Sequence, residues 1–272
     1  MRSTVALLIL CLALTGCQSW QSLAQDHQLR DTLVDTGLFT HRILLNNAGV
    51  RAQQAPSTDS VLWHVYIEGD GRPVTENGHP SRDPTPHQLV LLPVMAKDPE
   101  PAIYLGRPCY FATGDQRCNP ADWTLERYSN VTVDSLKRAL LTQIHPQDGV
   151  VLIGHSGGGT LAMLLAPRLP MTRAVITLAG NLDVGAWVAA NHYTPLPDCL
   201  DPAQQPPLPP HIRQWHFAGS HDDIIKPEWI QAVSRRQPNA RFILVKSGDH
   251  HHPWSRLLPQ WLRQHKNALD SL

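Results

Sequence analysis

Apolar residues along this chain follow two rhythms. Short runs rich in β-branched and aromatic residues occur at 39–45, 61–67, 150–153, 173–178, 211–218 and 241–245, with a briefer one at 103–105. Runs of this length bounded by turn residues read as strands, most of them buried on both faces. Between several of them, apolar residues recur every three to four positions, at 86–97, 133–144, 160–169 and 252–265. That spacing predicts helices with one face on a core, and in the last of them Leu257, Leu258, Trp261 and Leu262 are core candidates. A polar link is expected over 49–60. Strands alternating with helices predict an α/β architecture with a mostly parallel central sheet.

The N-terminus departs from this alternation. Met1-Arg2 is a short basic start, and 5–14 is an apolar run shorter than the roughly 20 residues that span a bilayer as a helix. Leu14-Thr15-Gly16-Cys17 then resembles a bacterial lipobox, in which the cysteine is lipidated and becomes the new first residue. Residues 1–16 are therefore expected to be a lipoprotein signal peptide and Cys17 the lipidation site. A polar tether follows to residue 36, and 37–272 is expected to be one globular domain. Gln18, where an aspartate could stand, implies the outer membrane of a Gram-negative envelope. The expected address is thus the bacterial cell envelope, facing the periplasm, with membrane contact through the lipid alone.

Composition narrows the partners. Lysine plus arginine equals aspartate plus glutamate, 23 each, and no basic run exceeds a pair, so nucleic acid is not an expected partner. In an exported protein, Cys109 and Cys118, which flank a polar loop, are expected to form a disulfide, leaving Cys199 as a buried thiol.

Chemistry concentrates at 150–159. The run Val150-Val151-Leu152-Ile153 leads into Gly154-His155-Ser156-Gly157-Gly158, a G-x-S-x-G pentapeptide followed by a predicted helix. Strand and helix crossing this closely leave no room for side chains at Gly154 and Gly158, and Ser156 is then held strained at the tip. A serine hydroxyl attacks only when a base takes its proton and a third group orients that base. Asp222 and Asp223 stand just after the strand that ends at Gly219, and His250, His251 and His252 follow the last strand. The three histidines also admit a metal site. Adjacent residues chelate one ion poorly, however, and no H-E-x-x-H or Cys/His spacing accompanies them, so no metal is expected.

Serine, acid and histidine in that chain order, each after a successive strand, resemble the α/β-hydrolase family from about residue 58 to the C-terminus. Gly106-Arg107-Pro108-Cys109, Ala179-Gly180-Asn181-Leu182-Asp183 and Asp249-His250-x-x-x-Trp254 are similar to landmarks of a bacterial lipoprotein-like group within it. The resemblance implies the α/β-hydrolase fold, with a short cap at about 181–210. It implies Ser156 as nucleophile, Asp222 in preference to Asp223 as the orienting acid, and His250 in preference to His251 or His252 as the base. Backbone N–H groups of Gly157 and of Gly69 or Asp70 would form the oxyanion hole. Leu182, Val184, Trp187, Val188 and Leu196 are expected to line an acyl pocket, with Asn181 and Asp183 supporting the loop. The implied activity is hydrolysis of a carboxylic ester or thioester in a small molecule, through an acyl-enzyme and without a cofactor. Amide cleavage and acyl transfer use the same apparatus, and a non-catalytic binding role in the envelope is the other class that the fold admits.

Overall fold

Val150 to Ile153 are all fully buried, and alternate residues of that run enter different cores, which places the strand at the centre of a sheet covered on both faces. The computed structural model describes residues 19–55 and 60–271. Cys17 and the expected signal peptide lie outside the described residues. In chain order the elements are α1 (Trp20–Asp26), β1 (Arg30–Asp35), β2 (Thr40–Leu45), α2 (Asn47–Gln54), β3 (Leu62–Ile67), α3 (Leu92–Met95), β4 (Ala102–Leu105) and α4 (Asn130–Leu141). The second half runs β5 (Gly149–His155), α5 (Gly157–Leu165), β6 (Thr172–Leu178), α6 (Val184–Ala190), β7 (Arg213–Gly219), α7 (Pro227–Arg236), β8 (Ala240–Val245) and α8 (Trp254–Asp270).

The strands form one sheet in the order β1-β2-β4-β3-β5-β6-β7-β8. From β4 to β8 all pairings are parallel, while β1 and β2 join one edge antiparallel. The C-terminal ends of β3, β5, β7 and β8 therefore share one edge, and their loops carry Gly69, Ser156, Asp222 and His250. One core packs α4 and α5 against the sheet around Val65, Leu152 and Leu161. The other packs α1, α3 and α8 around Tyr66, Ile153 and Trp254.

Three segments differ from the expectation. The supposed tether is built into the domain. Leu23 and Ala24 of α1 are buried in the second core, and β1 pairs with β2 along its whole length. Alternating half-buried and exposed positions in β1 mark an exposed edge strand, a pattern that reads as polar in sequence. The helix expected at 86–97 shrinks to α3, because the Glu68 carboxylate accepts the N–H groups of Val90, Leu91 and Leu92 and so caps the chain only there. The polar link after β2 contains α2, started by Asn46 accepting from the Gly49 N–H.

Buried histidines make the fold acid-sensitive. Burial lowers His41 and His216 to about 4, from 6.5 when exposed. The folded state keeps both neutral where the unfolded chain protonates them, so their contribution is complete above pH 6.5 and is lost as the pH falls towards 4. Urea unfolding followed over this range is expected to show the midpoint falling, with about one proton fewer taken up on unfolding by His216→Gln. An unchanged slope in that variant would remove His216 from the account.

Candidate active site

Ser156 sits between β5 and α5 with φ 52° and ψ −122°, a conformation that few non-glycine residues adopt. Its neighbours hold it there. The Ser156 N–H donates to Leu178 O at 3.1 Å, and the N–H of Asn181 donates to Ser156 O at 3.0 Å. A Cβ at Gly154 would lie 2.2 Å from Gly158 O, and one at Gly158 would lie 2.0 Å from Ile67 O. Strand and helix thus cross at a distance that only glycine permits.

The hydroxyl of Ser156 lies 3.0 Å from His250 Nε2, and His250 Nδ1 lies 2.9 Å from Asp222 Oδ2. Asp222 Oδ1 accepts the N–H groups of Ile224 and Ile225, which fixes the carboxylate. Asp222 and His250 are buried, whereas Asp223 is exposed. His251 stands edge-on to His250 with ring centroids 5.1 Å apart, and His252 turns away to Asp249. The His250 carbonyl is held from two sides, by His155 Nε2 at 2.7 Å and by Trp254 Nε1 at 2.9 Å. Because a carbonyl only accepts, His155 carries its proton on Nε2. Burial, with His250 nearby, lowers His155 to about 3, so the ring is neutral.

Around the serine, Gly157 is the first residue of α5, so its N–H has no acceptor within the helix. Gly69 packs directly on the serine, where an added Cβ would lie 3.1 Å from Ser156 Cβ. The side chain of Asp70 has a structural occupation of its own. Oδ1 pairs with Arg107 Nη1, while Oδ2 accepts from Arg127 Nη1 at 3.2 Å and from the Tyr128 hydroxyl at 2.5 Å. Burial opposes ionisation of Asp70, but the two guanidinium groups outweigh it and hold the carboxyl at about 2. A Cβ at Gly157 would lie 2.0 Å from Asp70 Oδ1, so this clamp presses against the turn that carries the serine.

Ser156 and His250 open into a cavity of about 590 Å³. One wall is apolar, with Leu125, Trp187, Tyr193, Leu196 and Ile224. Of the residues expected to line an acyl pocket, Trp187 and Leu196 do so, whereas Leu182 and Val184 are buried in the core and Val188 packs against it. Asp183 caps α6 through the Ala186 N–H. Cys109 and Cys118 are joined, with Cα atoms 5.7 Å apart, just after Arg107. Cys199 is a free, half-buried thiol, which burial pushes up to about 11.

Sequence reasoning did not assign Glu68, Arg107, Arg127, Tyr128 or His155 to the site. Two signals were present. Arg107 lies in the Gly-Arg-Pro-Cys segment, and the Trp four residues after His250 proves to be a donor to its carbonyl.

No protein-family model matches the chain, and neither does any curated protein. Solved structures do match. Mouse alpha/beta hydrolase domain-containing protein 10 superposes with a TM-score of 0.59 at 16% identity, over 88% of this chain and 99% of that one. A thermophilic esterase from Thermogutta terrifontis gives 0.56 at 12%, over 88% and 99%. An alpha-beta serine hydrolase homologue from Coxiella burnetii gives 0.55 at 13%, over 87% and 96%. The chain has the α/β-hydrolase fold.

Proposed function

We propose that the protein is a serine hydrolase that cleaves carboxylic ester or thioester bonds. The observation that carries this reading is the unbroken series from Ser156 Oγ through His250 to Asp222, with both links at hydrogen-bond length. Ser156 Oγ attacks the carbonyl carbon as its proton passes to His250 Nε2. Asp222 keeps the imidazole in the tautomer with Nδ1–H and stabilises the imidazolium that forms. The backbone N–H groups of Gly157 and of Gly69 or Asp70 receive the negative charge on the carbonyl oxygen. His250 then protonates the leaving alcohol or thiol. Water, deprotonated by the same imidazole, releases the acyl group and restores the serine.

Preorganisation supports the reading. Ser156 is held in a strained conformation, and the His250 carbonyl is fixed by two donors, so little motion is needed to reach the reacting geometry. The esterase and the serine hydrolase homologue named among the structural matches point the same way. Incubation of the purified protein with a fluorophosphonate probe is the direct test. The serine oxygen should displace fluoride from phosphorus, and peptide mapping should place the adduct on Ser156. A folded protein that takes up no label would overturn the reading.

A further inference from the structure

Two arginines are buried beside the serine against one aspartate. Arg107 and Arg127 are 1% and 8% exposed, and both share the Asp70 carboxylate. Glu68, the other carboxylate on this wall, does not balance them. Its oxygens accept from the backbone N–H groups of Val90–Leu92 and from the Tyr104 hydroxyl. A buried guanidinium with an incomplete set of partners is costly, so a surplus of this kind at a cavity wall calls for an anion.

Arg127 is the one placed to meet it. Its Nε donates to Thr124 O at 2.6 Å and its Nη1 to Asp70, while Nη2 has no acceptor among the described residues. Arg127 lines the same cavity as Ser156, and so does Trp187, whose ring centroid lies 5.9 Å from the Arg127 Cζ. Nη2 is thus the donor left over at this cavity wall, and a guanidinium N–H is well suited to a carboxylate oxygen. At the cavity wall nearby, Arg72 contacts the His87 ring and adds positive charge that would draw an anion in.

The geometry points to an anion subsite. We infer that Arg127 binds a carboxylate borne by the substrate, so that the preferred ester is a half-ester or a similarly acidic one. This rests on the hydrolase reading above. The carboxylate belongs close to the scissile carbonyl, because the Asp70 carboxylate that pairs with Arg127 also lies against Gly157, the residue after the nucleophile.

Two matched pairs of esters test it. Mono-4-nitrophenyl glutarate against 4-nitrophenyl pentanoate places the charge on the acyl side, and 4-carboxyphenyl butyrate against phenyl butyrate places it on the alcohol side. In one pair the acidic ester should have kcat/KM about tenfold higher, the scale of one charge-assisted hydrogen bond. The ratio should collapse in Arg127→Gln and recover in part in Arg127→Lys, which keeps the charge without the fork and serves if the glutamine variant does not fold. Binding of monoethyl glutarate to Ser156→Ala, measured by calorimetry, gives a readout free of turnover and should vanish when Arg127→Gln is added.

The outcomes separate the two readings. Turnover of neutral esters with no acidic preference in either pair overturns the subsite and leaves the hydrolase. Binding that depends on Arg127 without turnover of any ester keeps the subsite and overturns the hydrolase. Neither turnover nor binding overturns both.

Discussion

Ser156→Ala is expected to lose roughly 10⁴- to 10⁶-fold in kcat on an activated ester, with unchanged folding by circular dichroism. The serine oxygen forms the bond to carbon, so no neighbour replaces it, and the residual rate would come from the oxyanion donors alone. His250→Ala should fall to a similar level, because an unassisted hydroxyl is a poor nucleophile at neutral pH. Combining the two should cost little more than either alone, since both serve one step. His251→Ala is the informative control. Its ring lies beside His250, but only His250 reaches both Ser156 and Asp222. Retained turnover in His251→Ala with loss in His250→Ala identifies the base, and the reverse pattern would move it by one residue. An active Ser156→Ala protein would reject the mechanism, because the turnover would then not pass through this serine.

Asp70→Asn should produce the largest loss of stability, about 3 kcal/mol or more, because the shape is kept while two buried guanidinium groups lose their shared counter-charge. For a domain of this size that corresponds to a fall in Tm of roughly 10 °C. The pH dependence carries the sign. Folding depresses Asp70 from 3.8 to about 2, so its stabilisation is present above pH 4 and is lost as the pH falls through about 2. The gap between wild type and Asp70→Asn should therefore be widest near neutrality and narrow in acid. Equal Tm values at pH 7 would show that solvent, not Asp70, balances the arginines.

Much of this was legible in the chain. The strands at 61–67 and 150–153 are continuous apolar runs because both faces of the sheet are covered, and such runs need no tertiary information to be seen. The turn around Ser156 was legible for a related reason, since a Cβ added at Gly154 or Gly158 would lie 2.2 Å or less from a main-chain oxygen and only glycine fits. Edge elements were harder. In β1 only alternate positions are half-buried, so the pattern is indistinguishable from a polar tether until β2 is seen alongside. The 86–97 segment has helical spacing, yet a carboxylate from residue 68 sets where its only helical turn begins.

Local sequence by itself determined β2 to β8, the helices α4, α5 and α8, the strained turn and the two loops that carry acid and histidine. Each of these depends on backbone geometry within a few residues. Choosing among neighbours was a different matter. Whether Asp222 or Asp223 faces the imidazole, and which of three histidines reaches the serine, turns on one residue of loop register, which was settled by burial and by the Trp254 contact. The arginine clamp lay further out of reach. Asp70, Arg107 and Arg127 are separated by long stretches of chain and pair only because the loop after β3 and two later loops meet beside Ser156. Charges distant in sequence carry no periodic signal, and their pairing energy exists only once folding has brought them together out of water.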